Sequence, residues 1–231
     1  TECNTAMEQI MRLKNLINFA RQEGYSPIWD MQVICAVNNG QGKNLVARDY
    51  LNEQLQDLLN PLKKGEIDGK FRVGDKVICR KNGTYGGLFV ANGEQGVVTA
   101  VQRDHILVRM AIHLDEDDHL EELAASSIKV ATNRDCVWQL AYAITCHSSQ
   151  GSEWPIVAIM IDSSQGGVRT MNREWVMTAN SRAKVFCSWI GRRATVNDCC
   201  RRSSLTSRDT DLTELLACHS KSNSQLKISI S

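Results

Sequence analysis

The sequence predicts an α/β fold in which helices flank a mostly parallel sheet and a small antiparallel β-barrel is inserted. Strand-like and helical segments alternate before residue 70 and again after residue 131. Between them, the pattern changes to short β-rich segments separated by turn residues. We therefore expect residues 1–70 and 131–217 to form one domain, residues 71–130 to form the insert, and residues 218–231 to be a flexible tail.

The first part of the predicted domain contains two helices around one strand. Apolar residues recur near a 3.6-residue period over residues 5–23, and Gly24 is a suitable stop. The run "MQVICAV" (31–37) is apolar throughout and suits a buried parallel strand. Leucines then follow the helical period in residues 45–60, and Pro61 ends that helix.

The insert is predicted from three β-rich runs, "FRVGDKVICRKN", "GEQGVVTAVQRD" and "HILVRMAIHL". Turn signals at Gly83, Asn92-Gly93 and Arg103-Asp104 separate them. About three or four short antiparallel strands in this space indicate a small barrel.

The second half returns to strand and helix alternation, which implies a mostly parallel sheet. We expect strands near Leu140–Thr145, Pro155–Asp162 and Val185–Ile190, with helical segments after Gln150 and around Asn172–Ala183. Ligands of such sheets bind at the carboxyl ends of the strands. The polar segment "TCHSSQGSE", Thr145 to Glu153, directly follows a predicted strand, so we expect the ligand site there.

Composition narrows the class of protein. The 231 residues carry a net charge of +1, and the longest apolar run, "PIVAIMI", is too short to span a bilayer, which predicts a cytoplasmic protein without a membrane partner. Nine unevenly spaced cysteines without a CxxC pair indicate reduced thiols. Because the spacing of Cys199, Cys200, Cys218 and His219 fits no common zinc site, we predict no metal site.

Two separate motifs resemble known helicase motifs. The stretches "LAYAITCHSSQGSEWPIVAIMI" (140–161) and "MTANSRAKVFCSWIG" (177–191) resemble motifs V and VI of superfamily 1B helicases, particularly the RecD or exodeoxyribonuclease V alpha-subunit family. The resemblance extends from about residue 30 to residue 216 and includes the start of that family's inserted barrel at "FRVGDKVI". It implies a second RecA-like motor domain of an ATP-dependent 5′–3′ DNA helicase.

The chain contains no GxxxxGK[ST] phosphate loop and begins with Thr1, so we expect a fragment of a longer protein. The resemblance implies that a missing N-terminal RecA-like domain carries that loop and most ligands of ATP with Mg²⁺. The fragment alone is then expected to be inactive as an ATPase. Single-stranded DNA is the expected substrate, and nuclease or helicase subunits are candidate partners.

The resemblance assigns nucleic-acid binding to Thr145, His147 and Ser149. A hydroxyl and backbone N–H groups at the end of a strand suit a phosphate oxygen. Without the resemblance, the residues alone favour a helix cap at Thr145 and a side chain filling a polar corner at His147.

The resemblance assigns nucleotide binding to Gln150, Gly151, Glu153 and Arg182. Gln150 would link the nucleotide and DNA sites, Gly151 would allow close backbone approach, and Glu153 would bind the ribose. Arg182 would be the catalytic arginine finger, because a guanidinium is always charged and holds two phosphate oxygens at once. The alternatives are a capping carboxylate at Glu153 and a surface arginine at Arg182.

Two positions depart from the family pattern. Ser148 stands where the family usually has lysine, and Asn38-Asn39 stand where it tends to have arginine. These departures keep a second hypothesis open, a non-catalytic nucleic-acid-binding module that retains the helicase fold. A relaxase-type conjugation protein with the same helicase half is a third.

Overall fold

The computed structural model of the protein describes residues 2–39, 44–64, 69–110, 127–133 and 136–204. The helices are α1 Ala6–Gln22, α2 Arg48–Leu59, α3 Gln165–Thr170, α4 Arg173–Asn180 and α5 Arg193–Arg201. The strands are β1 Met31–Cys35, β2 Lys76–Cys79, β3 Gly83–Tyr85, β4 Leu88–Val90, β5 Gln95–Val101, β6 His105–Met110, β7 Ile128–Ala131, β8 Trp138–Leu140, β9 Ala143–Thr145, β10 Trp154–Met160 and β11 Ala183–Ile190. The predicted tail and the cysteine and histidine at 218 and 219 lie outside the described residues.

A parallel sheet organises the fold, with strand order β11-β10-β1-β9. Val33 pairs with Ala143 on one side of β1, and Ile34 pairs with Ile159 on the other. The prediction of an α/β fold with a mostly parallel sheet is confirmed.

Helices cover both faces of this sheet. Side chains alternate along a strand, so Val33 packs with the core on the side of α1 and α2, and Ile34 packs with the core on the side of α4 and α5. The expected first helix is confirmed, and Gly24 adopts a φ of +83° two residues after it ends. Within the described part of the chain, no helix is long and apolar enough to cross a membrane.

The insert forms a five-stranded antiparallel sheet of order β7-β6-β5-β2-β8, accompanied by the β3–β4 hairpin. Its core contains Val77, Val98, Ile106 and the fully buried Trp138. Because Trp138 belongs to β8, this sheet extends beyond the predicted limit at residue 130.

The predicted strand Leu140–Thr145 is wrong as a single element. Its first residue belongs to β8 in the antiparallel sheet, and its last three form β9 in the parallel sheet. The change occurs at Ala141, whose N–H donates to the carbonyl of Lys76 at 2.8 Å. The run is apolar as far as Ile144, so the sequence does not reveal that the strand's pairing partner changes.

The helical segment expected after Gln150 is wrong in position: the helical turn here is a four-residue 3-10 turn, Cys146–Ser149, which ends before Gln150. Between Gln150 and β10 the chain is not helical, and Gly151 has a φ of +84°. Helix α5 lies in an arginine-rich stretch for which the sequence predicted no helix. Its main buried residue is Cys199, so its apolar face is short.

Candidate nucleic-acid and nucleotide interface

The polar segment from Thr145 to Glu153 runs from the carboxyl ends of the parallel strands to their amino ends, here called the carboxyl edge and the amino edge of the sheet. Thr145 pairs with Cys35 at the carboxyl end of β1, whereas Ile156 pairs with Met31 at its amino end. Glu153 directly precedes β10 and therefore lies at the amino edge. The expectation that the whole segment lies at the carboxyl edge is wrong, because the chain must return before it can begin the next parallel strand.

At the carboxyl edge, the chain encloses an open groove of about 400 Å³ at the ends of β1 and β9. Thr145 is half-buried in it and His147 is exposed. Its lining residues are Ala36, Val37, Asn38, Asn39, Arg80, Thr145, Cys146, His147, Thr170 and Trp175. None of these described lining residues is acidic, and Arg80 contributes a positive charge. Such a groove suits an anionic chain such as a nucleic-acid backbone.

Asn52 of helix α2 holds the edge strand that carries Thr145. Its side-chain amide donates to the carbonyl of Ala143 at 2.9 Å, and its oxygen accepts the N–H of Ala143 at 2.9 Å. Both groups are buried. The side chain thus makes the two hydrogen bonds that a neighbouring strand would make with β9 on the side that faces away from β1.

Ser148 joins Thr145 to an arginine of the insert. The hydroxyls of Thr145 and Ser148 lie 2.9 Å apart, and the guanidinium of Arg80 donates to the Ser148 hydroxyl. Burial, and secondarily the nearby charge of Arg48, lower the pKa of Arg80. Sequence reasoning missed Arg80, because it lies 68 residues from Ser148 and no local motif marks it.

Ser149 does not face the groove. Its side chain is fully buried, and its hydroxyl donates to the carbonyl of Cys146 at 2.7 Å. We therefore leave Ser149 out of the nucleic-acid interface, although the resemblance had assigned it there. The hydroxyl stabilises the 3-10 turn instead.

Gln150 and Gly151 face the insert. They line a cavity of about 360 Å³ together with the turn at residues 92–95. Neither residue lies in the groove that contains Thr145 and His147. The segment therefore separates the predicted DNA-binding and nucleotide-binding residues into two places.

Arg182 and Glu153 lie at the amino edge, each immediately before a strand. The N–H of Trp154 donates to the carbonyl of Arg182 at 2.9 Å, which holds the two segments together. The Glu153 carboxylate is about half exposed and lies 3.8 Å from Nζ of Lys184. Such an exposed acidic group is free to accept hydrogen bonds from a ligand hydroxyl.

The guanidinium of Arg182 donates hydrogen bonds to three nearby residues of the chain. It donates from Nε to the carbonyl of Thr178 at 3.1 Å, from Nη1 to the carbonyl of Ser152 at 3.3 Å, and from Nη2 to the hydroxyl of Ser181 at 2.8 Å. No described carboxylate pairs with it within 4 Å. Its charge therefore remains available for an anionic ligand.

Comparison with known proteins supports the motif assignment. Residues 140–186 match the family described as the UvrD-like helicase C-terminal domain. The chain is 31% identical over 144 residues to the ATP-dependent RecD2 DNA helicase of Deinococcus radiodurans, covering 62% of this chain and 18% of the relative. The resemblance to RecD-like helicases is confirmed. The chain is also 26% identical over 196 residues to the RecBCD enzyme subunit RecD of Mycolicibacterium smegmatis, covering 84% of this chain and 31% of that relative.

The chain spans less than a third of the length of these RecD-type relatives. Among solved structures, it is similar to the Pif1 helicase from Bacteroides in complex with ADP-AlF3 and ssDNA, with 18% identity and a TM-score of 0.47 over 83% of this chain and 45% of the other. It is also similar to the Pif1 helicase from Candida albicans, with 14% identity and a TM-score of 0.39 over 74% of this chain and 49% of the other. The resemblance to RecD-like helicases rests on the RecD-type sequence matches.

Proposed function

We propose that the chain is the C-terminal motor domain of an ATP-dependent helicase that moves 5′ to 3′ on single-stranded DNA in the cytoplasm. The observation that carries this proposal is the path of the polar segment. It begins at the cationic groove with Thr145 and ends at the opposite edge with Glu153, beside Arg182. One short connection thus joins a surface suited to a nucleic-acid backbone to a surface suited to a nucleotide.

On the nucleic-acid side, Thr145 and His147 bind phosphates of the strand. The Thr145 hydroxyl is at the end of β9, and the exposed His147 ring extends the same groove. Contacts of this kind are independent of base sequence, as a translocating motor requires.

On the nucleotide side, the chain completes a site for ATP with Mg²⁺ that we place between it and a further RecA-like domain of the full-length protein. That domain would supply the phosphate loop, which this chain lacks. Glu153 would bind the ribose, and Gln150 and Gly151 would respond to the nucleotide. Arg182 would exchange its bonds to Thr178 and Ser152 for the γ-phosphate, so the chain alone would not hydrolyse ATP.

The test is the ATPase rate of the full-length protein with Arg182→Ala and Arg182→Lys. An arginine finger contributes about 10³- to 10⁵-fold to turnover. We expect a loss of this order for alanine and a large loss for lysine, which keeps the charge but cannot bind two oxygens. Arg169→Ala, at an exposed arginine of α3, is the matched control. An ATPase rate that Arg182→Ala leaves unchanged contradicts the finger assignment.

A second candidate is a non-catalytic nucleic-acid-binding module. The departures at Ser148 and Asn38 favour it, since each removes a cation that the family carries. The two candidates differ in the coding sequence upstream of Thr1. The motor requires a GxxxxGK[ST] motif about 200 residues away, the size of one such domain.

As a motor of the first kind, the protein would work with a nuclease or a further helicase subunit.

A further inference from the structure

We infer that Arg80, which follows strand β2 of the insert, supplies the phosphate-binding cation that Ser148 cannot supply in the groove. This inference rests on the proposed function. The Arg80 guanidinium donates to the Ser148 hydroxyl, which lies 2.9 Å from the Thr145 hydroxyl. The cation is therefore one side chain away from the predicted phosphate contact, although it comes from a different sheet.

No carboxylate of the described residues forms an ion pair with Arg80. Their ion pairs involve other arginines, such as Arg48 with Asp49 and Arg72 with Asp57. The bond to Ser148 uses one of the five N–H donors of the guanidinium. The remaining donors are available to an anion, and a phosphodiester accepts two of them at once.

The surroundings of Arg80 favour an anion over a cation. It lines the groove with His147 and Thr145, and no described acidic side chain lines that groove. Burial and, secondarily, the charge of Arg48 lower the pKa of Arg80. A phosphate beside the guanidinium would favour its charged form, and the insert and the parallel sheet would then contact the same DNA strand.

The experiment measures binding of the chain to a fluorescent oligothymidylate by anisotropy, between about 50 and 200 mM salt. Loss of one phosphate contact on a single strand lowers the slope of log affinity against log salt by about 0.7. We expect Arg80→Gln to do this and to weaken binding about tenfold, equivalent to about 1.4 kcal/mol. Arg80→Lys keeps the charge and the slope.

Two further variants sharpen the test. Arg103→Gln removes an exposed arginine that follows the far end of β5 and leaves both affinity and slope unchanged. Adding Ser148→Lys to Arg80→Gln restores a positive charge at position 148, next to the lost guanidinium. We expect this double variant to recover the salt slope of the wild-type chain. A role for Arg80 in folding alone predicts neither the slope change nor this recovery.

A second measurement needs no variant and holds even if Arg80→Gln does not fold. Phenylglyoxal modifies accessible arginines, and we expect oligothymidylate to protect Arg80 but not Arg103. A salt slope unchanged by Arg80→Gln, or equal modification of Arg80 with and without DNA, overturns the inference. If Thr145→Ala still weakens binding in that case, the proposed function stands without it. If the wild-type chain does not bind the oligonucleotide at all, the proposed function fails as well.

Discussion

Lys76 is a buried lysine that joins the insert to the parallel sheet, and its titration is measurable. Its side chain is 1% exposed, and Nζ donates to the carbonyl of Ile28 at 2.9 Å and to Oε1 of Gln32 at 3.0 Å. The same atom lies 5.6 Å from the ring centre of Trp29 and 5.7 Å from that of Trp154. Burial lowers the pKa of Lys76 from 10.5 to about 7, against a smaller opposing effect of Asp30.

The sign and size of the effect follow from proton linkage. Between pH 7 and 10.5 the unfolded chain holds a proton on Lys76 that the folded chain has released. The free energy of unfolding therefore rises with pH across this window, by at most about 1.4 kcal/mol per pH unit. Below pH 7 both states are protonated, so the full penalty for burying the charge is present and constant.

The assay is urea unfolding followed by tryptophan fluorescence between about pH 7 and pH 8.5, the lower part of this linkage window. We expect the stability of the wild-type chain to rise relative to that of Lys76→Met by about 1 kcal/mol per pH unit. Buried thiols such as Cys35, whose pKa burial raises to about 12, affect both proteins equally and cancel. Lys129→Met, at an exposed lysine of β7, should run parallel to wild type. Parallel curves for Lys76→Met refute the reasoning.

Two further predictions concern the supports of the site, both read from denaturant unfolding. Asn52→Ala leaves the N–H and carbonyl of Ala143 buried without partners and should cost about 2–4 kcal/mol. Equal stability of the wild-type chain and Asn52→Ala would contradict this. Gly167→Ala places a methyl group against the buried Asp162 side chain and should cost about 1–3 kcal/mol. The matched change Gly166→Ala, with no atom nearer than 3.9 Å, should be neutral or stabilising, and equal losses would refute the packing argument.

Periodicity and glycine signals were sufficient to predict α1, the buried strand β1 and the return to a parallel sheet. They failed at Leu140, where the chain changes sheets, because strand propensity is the same on both sides of the change. They also failed for Arg80, since its contact with Ser148 depends on how two sheets pack and not on a local motif. Residues on one polar segment were expected in one place, but a connection between parallel strands must cross the sheet, so its two ends lie apart.

Within the proposed motor, that crossing would give the polar segment a mechanical role. At one end, Thr145 is fixed by β9, and at the other the Ser152 carbonyl accepts a bond from Arg182. If Arg182 turns towards a γ-phosphate, this bond is lost and the loop before β10 is released. The freed loop is continuous with the 3-10 turn that presents His147 and Ser148 to the groove. Because both flanking strands are held in the sheet, the displacement would be confined to the eight residues between them, and under the proposed function the state of the nucleotide edge would reach the nucleic-acid groove through them.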